Sequence, residues 1–380
     1  MTLHTPAYFV ILITLLNSVA CTRTTPKHTA PTRSTPNTSS HTPDQVTKSH
    51  TLPNHIRRGV CLAHNWQNGG TQGYGTQASL DTLTHLESIG ATWVSITPFG
   101  WMDSAHSTTI KGEHIDPHML PAGGETQERI EAVIKQAQQK DFKVMLKPHI
   151  WIHGGLWRGE IAFDSDEQWA KWWENYSDFT IHYAHIAERL HVESLVLGVE
   201  LVSAVKQHPE HMLQLIQDVR KVYSGELTYS ANWDENVPDK VWRNLDAIGV
   251  QLYPPLSNNP EPTVQELQHA LRPHLEAWSS LGERLDRPVL ITEVGYKSAP
   301  TAVSKPFEWP EHLPESARIK NEQLQAHAYD ALLSEIPQHQ HIHGLFLWKY
   351  FTNPVTDEEG VWGFCPRGKL AEDVIKKAFQ

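Results

Sequence analysis

The stretch that decides the fold ends in a carboxylate: Pro288-Val289-Leu290-Ile291-Thr292-Glu293-Val294-Gly295-Tyr296. Its short apolar run, bounded by proline and glycine, predicts a buried β-strand. Glu293 falls at the carboxyl end of that strand, where parallel barrels and doubly wound sheets keep their chemistry. A single motif of this kind also fits an ordinary strand that is followed by a surface glutamate. The functional interpretation is strengthened by a second copy of the pattern, Leu195-Val196-Leu197-Gly198-Val199-Glu200.

Strand-like and helix-like segments alternate from residue 57 to the end of the chain. Eight segments read as strands: Arg58–Ala63, Thr92–Thr97, Lys143–Ile150, Ser194–Glu200, Leu227–Asn232, Ala247–Tyr253, Val289–Glu293 and Leu345–Tyr350. Amphipathic runs between and after them read as helices: Leu80–Ile89, Glu125–Lys140, Asp166–Leu190, Pro209–Tyr223, Thr263–Leu281, Ser316–Ile336 and Lys369–Phe379. This alternation predicts an α/β fold, a (β/α)₈ TIM barrel over residues 57–380. The alternative, an open doubly wound sheet, is disfavoured because no glycine-rich phosphate loop follows the first strand.

Composition excludes several classes of partner. A formal charge of -11 over 380 residues argues against nucleic acid, which binds basic surfaces. The three cysteines, at positions 21, 61 and 365, are too scattered for a disulfide scaffold or a zinc site. We therefore expect no metal and no cofactor, with Cys61 as a buried free thiol. The 14 tryptophans offer flat apolar faces that suit stacking on sugar rings, although several must fill the core.

The first 56 residues indicate export and tethering. Residues 1–21 contain an apolar run of signal-peptide length, Tyr8 to Leu16, and end in Ser18-Val19-Ala20-Cys21. This ending resembles the lipobox of bacterial lipoproteins, in which the cysteine is lipid-modified after cleavage. Residues 22–56, rich in Thr, Ser and Pro, predict a disordered linker. We expect a monomer in the bacterial cell envelope, with membrane contact only through Cys21, or else a periplasmic or extracellular protein.

Polar and aromatic residues stand at all eight strand ends. In a barrel these ends meet on one face and build the active site. The candidates are His64, Asn65, Trp66, Thr97, Trp101, Lys147, His149, Trp151, Arg158, Glu200, Asn232, Trp233, Tyr253, Glu293, Trp348 and Lys349. Capping and loop hydrogen bonds account for some of these residues, but so regular a pattern favours a substrate site.

Two glutamates that face one site from different strands provide what glycoside hydrolysis needs. One carboxylic acid protonates the leaving oxygen, and the other carboxylate attacks the anomeric carbon or activates water. The surroundings of Glu200 and Glu293 must differ, so that one is protonated while the other is ionised. Four residues could orient and tune them: His149, Arg158, Asn232 and Tyr253.

These residues resemble the retaining glycosidases of the 4/7 superfamily, clan A, which carry glutamates at the ends of barrel strands four and seven. Three further stretches resemble glycoside hydrolase family 113: Lys147-Pro148-His149, Trp157-Arg158-Gly159, and Trp362-Gly363-Phe364 with Lys369 and Glu372. The resemblance covers residues 57 to 380. It implies a retaining endo-β-1,4-mannanase that acts on mannan or glucomannan.

Carried over from the family, Glu200 is the acid/base and Glu293 the nucleophile. Tyr253 is expected to hydrogen-bond the nucleophile, and Trp348 to form the floor of the −1 sugar site. The residues Trp66, Trp101, Trp151 and Trp233 are candidate sugar platforms or core residues. One departure is Val199, where much of the clan has an asparagine that contacts the sugar 2-hydroxyl. We expect His149 or Asn232 to make that contact, or the substrate to differ.

Three alternatives remain open from the sequence. The same chemistry could act on another β-linked glycan, such as a β-glucan. A non-catalytic glycan-binding lipoprotein would share the tryptophans and the linker, but it would have no need of two glutamates at strand ends. A metal hydrolase is a weaker third, because no HExxH or HxH pattern stands at a strand end. The segment Val303–Glu315, rich in Pro and acidic residues, is expected to shape one end of the cleft or to be passive.

Overall fold

The computed structural model describes residues 51–114, 123–353 and 359–380. The predicted export segment 1–21 and all but the last few residues of the linker 22–56 lie outside the described residues. Within the described part, Leu52 and Ile56 are buried, and the Leu52 N–H donates to the Ala378 carbonyl at 2.8 Å. The packed domain therefore begins a few residues before the predicted boundary at 57. None of the described helices has both the length and the apolar character needed to cross a bilayer.

The core of the fold is a closed barrel of eight parallel strands, which confirms the predicted class. Ten strands are present in the described chain: β1 (Arg57–Ala63), β2 (Trp93–Ile96), β3 (Phe99–Met102), β4 (Lys143–Leu146), β5 (His149–Ile152), β6 (Ser194–Val199), β7 (Glu226–Asn232), β8 (Ile248–Gln251), β9 (Val289–Val294) and β10 (Ile342–Phe351). The barrel runs in the order β1-β10-β9-β8-β7-β6-β4-β2 and closes between β1 and β2. Glu200 therefore follows the fourth barrel strand, β6, and Glu293 lies in the seventh, β9.

Helices pack around the barrel and follow the predicted pattern closely. Their bounds are α1 (Gln67–Gly70), α2 (Gln77–Ser88), α3 (Gln127–Gln138), α4 (Asp166–Arg189), α5 (Val202–Gln207), α6 (Pro209–Arg220), α7 (Asp239–Trp242), α8 (Val264–Leu285), α9 (Glu322–Glu335) and α10 (Leu370–Phe379). Helix α9 begins six residues later than the predicted start at Ser316. The reason is a cap: the Asn321 side chain accepts the Leu324 N–H at 3.0 Å, and Glu315–Ala317 forms a separate 3-10 turn.

The predicted third strand, Lys143–Ile150, is two strands that are separated at Pro148. A proline has no N–H to give to the ladder, and Pro98 interrupts the preceding strand in the same way. Beyond these prolines, β3 and β5 pair with each other in a small parallel sheet outside the barrel. The pairing places Phe99 opposite His149 and Trp101 opposite Trp151. This small sheet extends an aromatic wall above the barrel mouth.

Large side chains fill the barrel interior. Some of them leave room only for a glycine beside them. Cys61, Phe346 and Trp348 belong to this interior cluster, and Cys61 is a buried free thiol, as predicted. A Cβ at Gly59 would lie 2.3 Å from the Phe346 ring, so glycine is required there by close approach. The interior is thus packed to the level of Trp348, and space opens only at the carboxyl ends of the strands.

Candidate active site

Glu293 is held by two donors on its two carboxylate oxygens. The Tyr253 hydroxyl donates to Oε1 at 2.8 Å, and the Lys147 ammonium donates to Oε2 at 2.6 Å. Burial, followed by the charge of Glu293, raises the pKa of Tyr253 well above its usual range, so this hydroxyl keeps its proton. Lys147 is fully buried, and its ammonium also donates to the Thr292 carbonyl at 3.1 Å. Both contacts favour the ionised carboxylate that a nucleophile needs.

Glu200 stands just beyond β6 in an uncommon backbone conformation. Its φ is 49°, in the left-handed region, and its N–H donates to the Ser230 carbonyl at 2.8 Å on the next strand. Two donors act on the same oxygen: Trp157 Nε1 lies 3.0 Å and an Arg158 guanidinium nitrogen 3.2 Å from Oε2. Because both donors act on Oε2, the proton of a general acid is best carried on Oε1.

His149 connects the surroundings of the two glutamates. Its ring stacks on Trp348 at 6.1 Å and 15°. Burial lowers the pKa of His149 well below its usual range, and the charges of Lys147, Arg158 and Lys349 lower it further. Lys147 is the partner of Glu293 and Arg158 that of Glu200, so both ion pairs act on this imidazole. His149 is therefore neutral, and its buried Nε2 has no hydrogen-bond partner among the residues that the structure describes.

A cavity of about 380 Å³ opens beside the glutamates and is lined by five indoles. They are Trp66, Trp101, Trp151, Trp309 and Trp348. Neither Glu200 nor Glu293 lines the cavity, which adjoins them through Trp348. The Trp348 ring centroid is 5.7 Å from Lys147 Nζ, and Lys349 Nζ lies 4.7 Å from it. The volume falls in the range of small-molecule sites. The cavity thus offers apolar ring faces, one of which, Trp348, lies close to the lysine that holds Glu293.

The segment that follows β9 contributes one of these indoles. Trp309 packs edge-on against two cavity indoles, Trp151 at 5.7 Å and Trp348 at 6.3 Å. The segment is braced by Lys297, whose buried ammonium donates to the Lys305 carbonyl at 2.6 Å. Burial lowers the pKa of Lys297 to about 8. The Pro-rich and acidic segment Val303–Glu315 therefore forms part of the site wall.

The predicted binding residues divide by location. Trp66, Trp101, Trp151 and Trp348 line the cavity, while Tyr253 and Arg158 contact the two glutamates. The Asn232 side-chain amide donates to Asp234 at 2.5 Å, and its predicted contact with the sugar stays a prediction. Trp233 packs edge-on against His274 at 5.5 Å. The structure thus groups most of the predicted residues around two carboxylates and one cavity.

Several site residues were missed from the sequence as participants. Lys147 was predicted only as a strand-end residue and part of a family-like motif, and Trp157 only as part of such a motif, although each contacts a glutamate. Trp309 carried no signal beyond its place in a proline-rich segment. Lys349 was noted only as a strand end, yet it forms a buried ion pair with Glu359 at 2.6 Å. A lysine or tryptophan directly beside a strand-end motif is the signal that could have found the first two.

A further, partly buried carboxyl, Glu235, supports the turn that carries Glu200. The Tyr229 hydroxyl accepts the Leu201 N–H at 2.8 Å and donates to Glu235 Oε1 at 2.9 Å. Burial raises the pKa of Glu235 to about 8, and the charge of Glu200 raises it further. No motif or spacing had indicated Glu235, which stands in a turn after β7.

One group of side chains in the described chain could hold a metal ion. The ligand atoms of His208, Glu210 and His211 all lie within 4.8 Å of one another, at the junction of α5 and α6. Two imidazoles and a carboxylate suit a first-row transition metal. Neither Glu200 nor Glu293 belongs to this group, and the chemistry proposed below uses neither a metal nor a cofactor.

A (β/α)₈ barrel with paired glutamates at the ends of its fourth and seventh strands defines a class: the protein is a glycoside hydrolase with the clan A fold. The profile described as Glycoside Hydrolase Family 113 matches residues 63–369, so the chain belongs to that family. The resemblance seen in the sequence is confirmed. No curated protein matches the chain significantly.

Solved structures of the family are similar over most of their lengths. A β-1,4-mannanase of family 113, solved as a complex, is 25% identical with a TM-score of 0.71, covering 86% of this chain and 99% of that chain. A family 113 β-mannanase from Alicyclobacillus acidocaldarius, in complex with ManMIm, is 26% identical with a TM-score of 0.72, covering 85% and 97%. A family 5 mannosidase from Rhizomucor miehei, 12% identical with a TM-score of 0.55 over 85% and 92%, shares the fold alone.

Proposed function

We propose that this glycoside hydrolase cleaves β-1,4-linked mannan or glucomannan with retention of anomeric configuration. The observation that carries the proposal is the different support given to the two glutamates. Glu293 has a cation on one oxygen and a hydroxyl on the other, whereas both donors to Glu200 act on a single oxygen. One carboxyl is thus held as an anion, and the other keeps an oxygen for proton transfer. The β-mannanase activity of similar solved structures supports the choice of polymer.

In the first step a Glu293 oxygen attacks the anomeric carbon while the glycosidic carbon–oxygen bond breaks. Glu200 gives its proton to the departing oxygen, and a glycosyl ester on Glu293 remains. In the second step a water molecule attacks the same carbon, Glu200 takes a proton from this water, and the ester bond to Glu293 breaks. The net change is the addition of one water molecule, and Glu200 ends protonated as it began. Two inversions at one carbon retain its configuration.

The central experiment measures release of reducing ends from mannan, glucomannan and β-glucan by the domain from residue 51. Glu293→Gln is expected to lose activity by at least ~10⁴-fold, as when other covalent nucleophiles are removed. Glu200→Ala is expected to lose about 10²- to 10⁴-fold on polymer, the usual contribution of a general acid. NMR of the first-formed product assigns retention, and an α-anomer would overturn the proposed mechanism.

Two other functions are outcomes of the same experiment. Preferred cleavage of β-glucan would keep the mechanism and replace the substrate. Binding of mannan with no hydrolysis of any polymer, unchanged in Glu293→Gln, would mean a non-catalytic glycan-binding protein. The paired supports of Glu200 and Glu293 favour catalysis, because a binding protein has no use for a fully buried lysine against one carboxylate.

We further propose that the chain is exported to the bacterial cell envelope and anchored through Cys21. The support is the sequence of residues 1–21 alone. Expression of the full chain with radiolabelled palmitate should label the wild type, while Cys21→Ser should remain unlabelled and be released from membranes. Equal labelling of the two would contradict the anchor.

A further inference from the structure

Trp157 combines two properties that no other described tryptophan shares. Its indole N–H donates to Glu200 Oε2 at 3.0 Å, yet 40% of the residue is exposed to solvent. A tryptophan whose N–H is already bonded while its apolar ring is open to solvent is suited to packing against a ligand that is partly polar. Trp157 precedes the 3-10 turn Arg158–Glu160, in the segment that follows β5.

Gly159 shows which face of the indole is available. A Cβ at Gly159 would lie 2.6 Å from Cη2, 2.6 Å from Cζ2 and 2.7 Å from Cε2 of Trp157. Nearly equal distances to three consecutive ring atoms mean that the glycine lies over a face of the six-membered ring, not at its edge. One face of the indole is therefore covered by the Gly159 backbone, and the opposite face accounts for the exposure.

The three residues Trp157-Arg158-Gly159 therefore act together. Arg158 donates to the same Glu200 oxygen at 3.2 Å and to the Ile150 carbonyl at 3.2 Å, which fixes the turn on β5. Gly159 leaves room for the indole to lie flat. The unit holds the acid/base and presents one free aromatic face beside it.

The position of this face decides which sugar it can meet. Because Glu200 protonates the departing oxygen, the leaving-group sugar must lie on the Glu200 side of the bond that breaks. The five-indole cavity is lined by neither Glu200 nor Trp157, and it borders Trp348, whose ring centroid lies 5.7 Å from the lysine that holds Glu293. We propose that Trp157 is the platform for the leaving-group sugar and at the same time positions the Glu200 carboxyl. This inference rests on the proposed function.

The two roles can be separated by substitution. Trp157→Phe keeps an aromatic face but loses the N–H, Trp157→Ala loses both, and Gly159→Ala displaces the ring without removing it. Leu156→Ala is the matched control, because Leu156 is 52% exposed in the same segment and contacts neither glutamate through a polar group. Each variant is assayed on mannotetraose and on mannobiosyl β-fluoride. The fluoride has no leaving-group sugar and needs little proton donation.

For Trp157→Ala and Gly159→Ala we expect kcat/KM on mannotetraose to fall about 10- to 100-fold, while the fluoride changes less than about 3-fold. For Trp157→Phe, KM on mannotetraose should stay within about 3-fold of the wild type. Its kcat on mannotetraose should fall about 2- to 12-fold, because a donor that positions the Glu200 carboxyl is gone, while the rate on the fluoride should hardly change. Leu156→Ala should match the wild type in both assays.

Equal losses on the two substrates in Trp157→Ala would overturn the platform, since a purely structural role affects both alike. An unchanged kcat on mannotetraose in Trp157→Phe would overturn the positioning role. If the proposed function itself is wrong, the wild type will hydrolyse neither substrate, and the platform role is then overturned as well.

Discussion

Lys147 Nζ lies 2.6 Å from Glu293 Oε2, and the lysine side chain is completely shielded from solvent. The pair joins the carboxyl ends of two strands on opposite sides of the barrel, β4 and β9. Its ammonium also reaches the Thr292 carbonyl and, at 3.5 Å, Gln251 Oε1. A buried cation with several acceptors is a fixed part of the surroundings of Glu293.

Removing one partner of this pair should cost much more than removing both. Lys147→Met leaves a buried carboxylate without its cation, and we expect about 3–5 kcal/mol loss in the free energy of unfolding at pH 7. In the double variant Lys147→Met/Glu293→Gln both charges are gone, so most of that loss should be recovered. Urea unfolding of the wild type, the single variants and the double variant measures the coupling. Additive losses would show that the pair is not coupled.

Tyr253 should affect the reaction more than the fold. Tyr253→Phe removes the hydroxyl that donates to Glu293 Oε1 but keeps the ring in place. A hydrogen bond to a charged group contributes about 1.5–3 kcal/mol, so kcat/KM should fall by about 10- to 100-fold. Tyr223→Phe is a suitable control, since that buried hydroxyl donates to the Val192 carbonyl, away from both glutamates. Equal activity losses in the two variants would contradict the assignment.

Alternation of strand and helix was sufficient to predict the barrel, because most strands are short apolar runs and most of the predicted helices have one apolar face. The break at Pro148 was visible in the sequence, but the predicted strand ran through it. Periodicity shows where apolar residues recur and does not show how a ladder continues past a missing N–H. The partner strand β3, which lies after Pro98, became apparent only with the pairing itself.

The two glutamates could be found because carboxylates at strand ends are local signals. Their partners could not, since Lys147 and Trp157 reach them across 146 and 43 residues of chain. Asn232 was found in the same way, but the hydrogen bond from its amide to Asp234 was not. Contacts between distant segments depend on side-chain direction, which a pattern of residue types does not contain.

Glu235 should make stability depend on pH. Burial raises its pKa to about 8, from an ordinary value of 4.5, so the folded state holds a proton that the unfolded chain releases first. Its contribution to stability is complete below about pH 4.5 and is lost as the pH rises towards 8. Glu235→Gln stays neutral, so its Tm should exceed that of the wild type by ~2 °C or more at pH 9 and match it at pH 4.5. Glu261→Gln, at an exposed carboxyl in another loop, should not show this difference. Parallel Tm curves for wild type and Glu235→Gln would refute the assignment.

Trp309 should contribute to substrate binding from the segment after β9. Trp309→Ala removes an indole that packs on Trp151 and Trp348, and we expect KM for mannotetraose to rise about 2- to 12-fold with little change in kcat. Phe307→Ala is the control, because Phe307 is 55% exposed in the same segment. Steady-state kinetics distinguishes them, and a fall in kcat at unchanged KM would contradict a binding role.

The left-handed backbone conformation of Glu200, the proposed acid/base, lowers the stability of the barrel. A residue with a side chain costs roughly 1–2 kcal/mol in a left-handed conformation, a cost that glycine avoids and that asparagine bears more easily. Either replacement would raise the stability of the fold and abolish the proposed hydrolysis. A lineage that is no longer selected for hydrolysis would therefore gain thermal stability from the same substitution that removes the carboxyl. Inactive descendants of this barrel should carry glycine or asparagine at position 200 more often than chance allows.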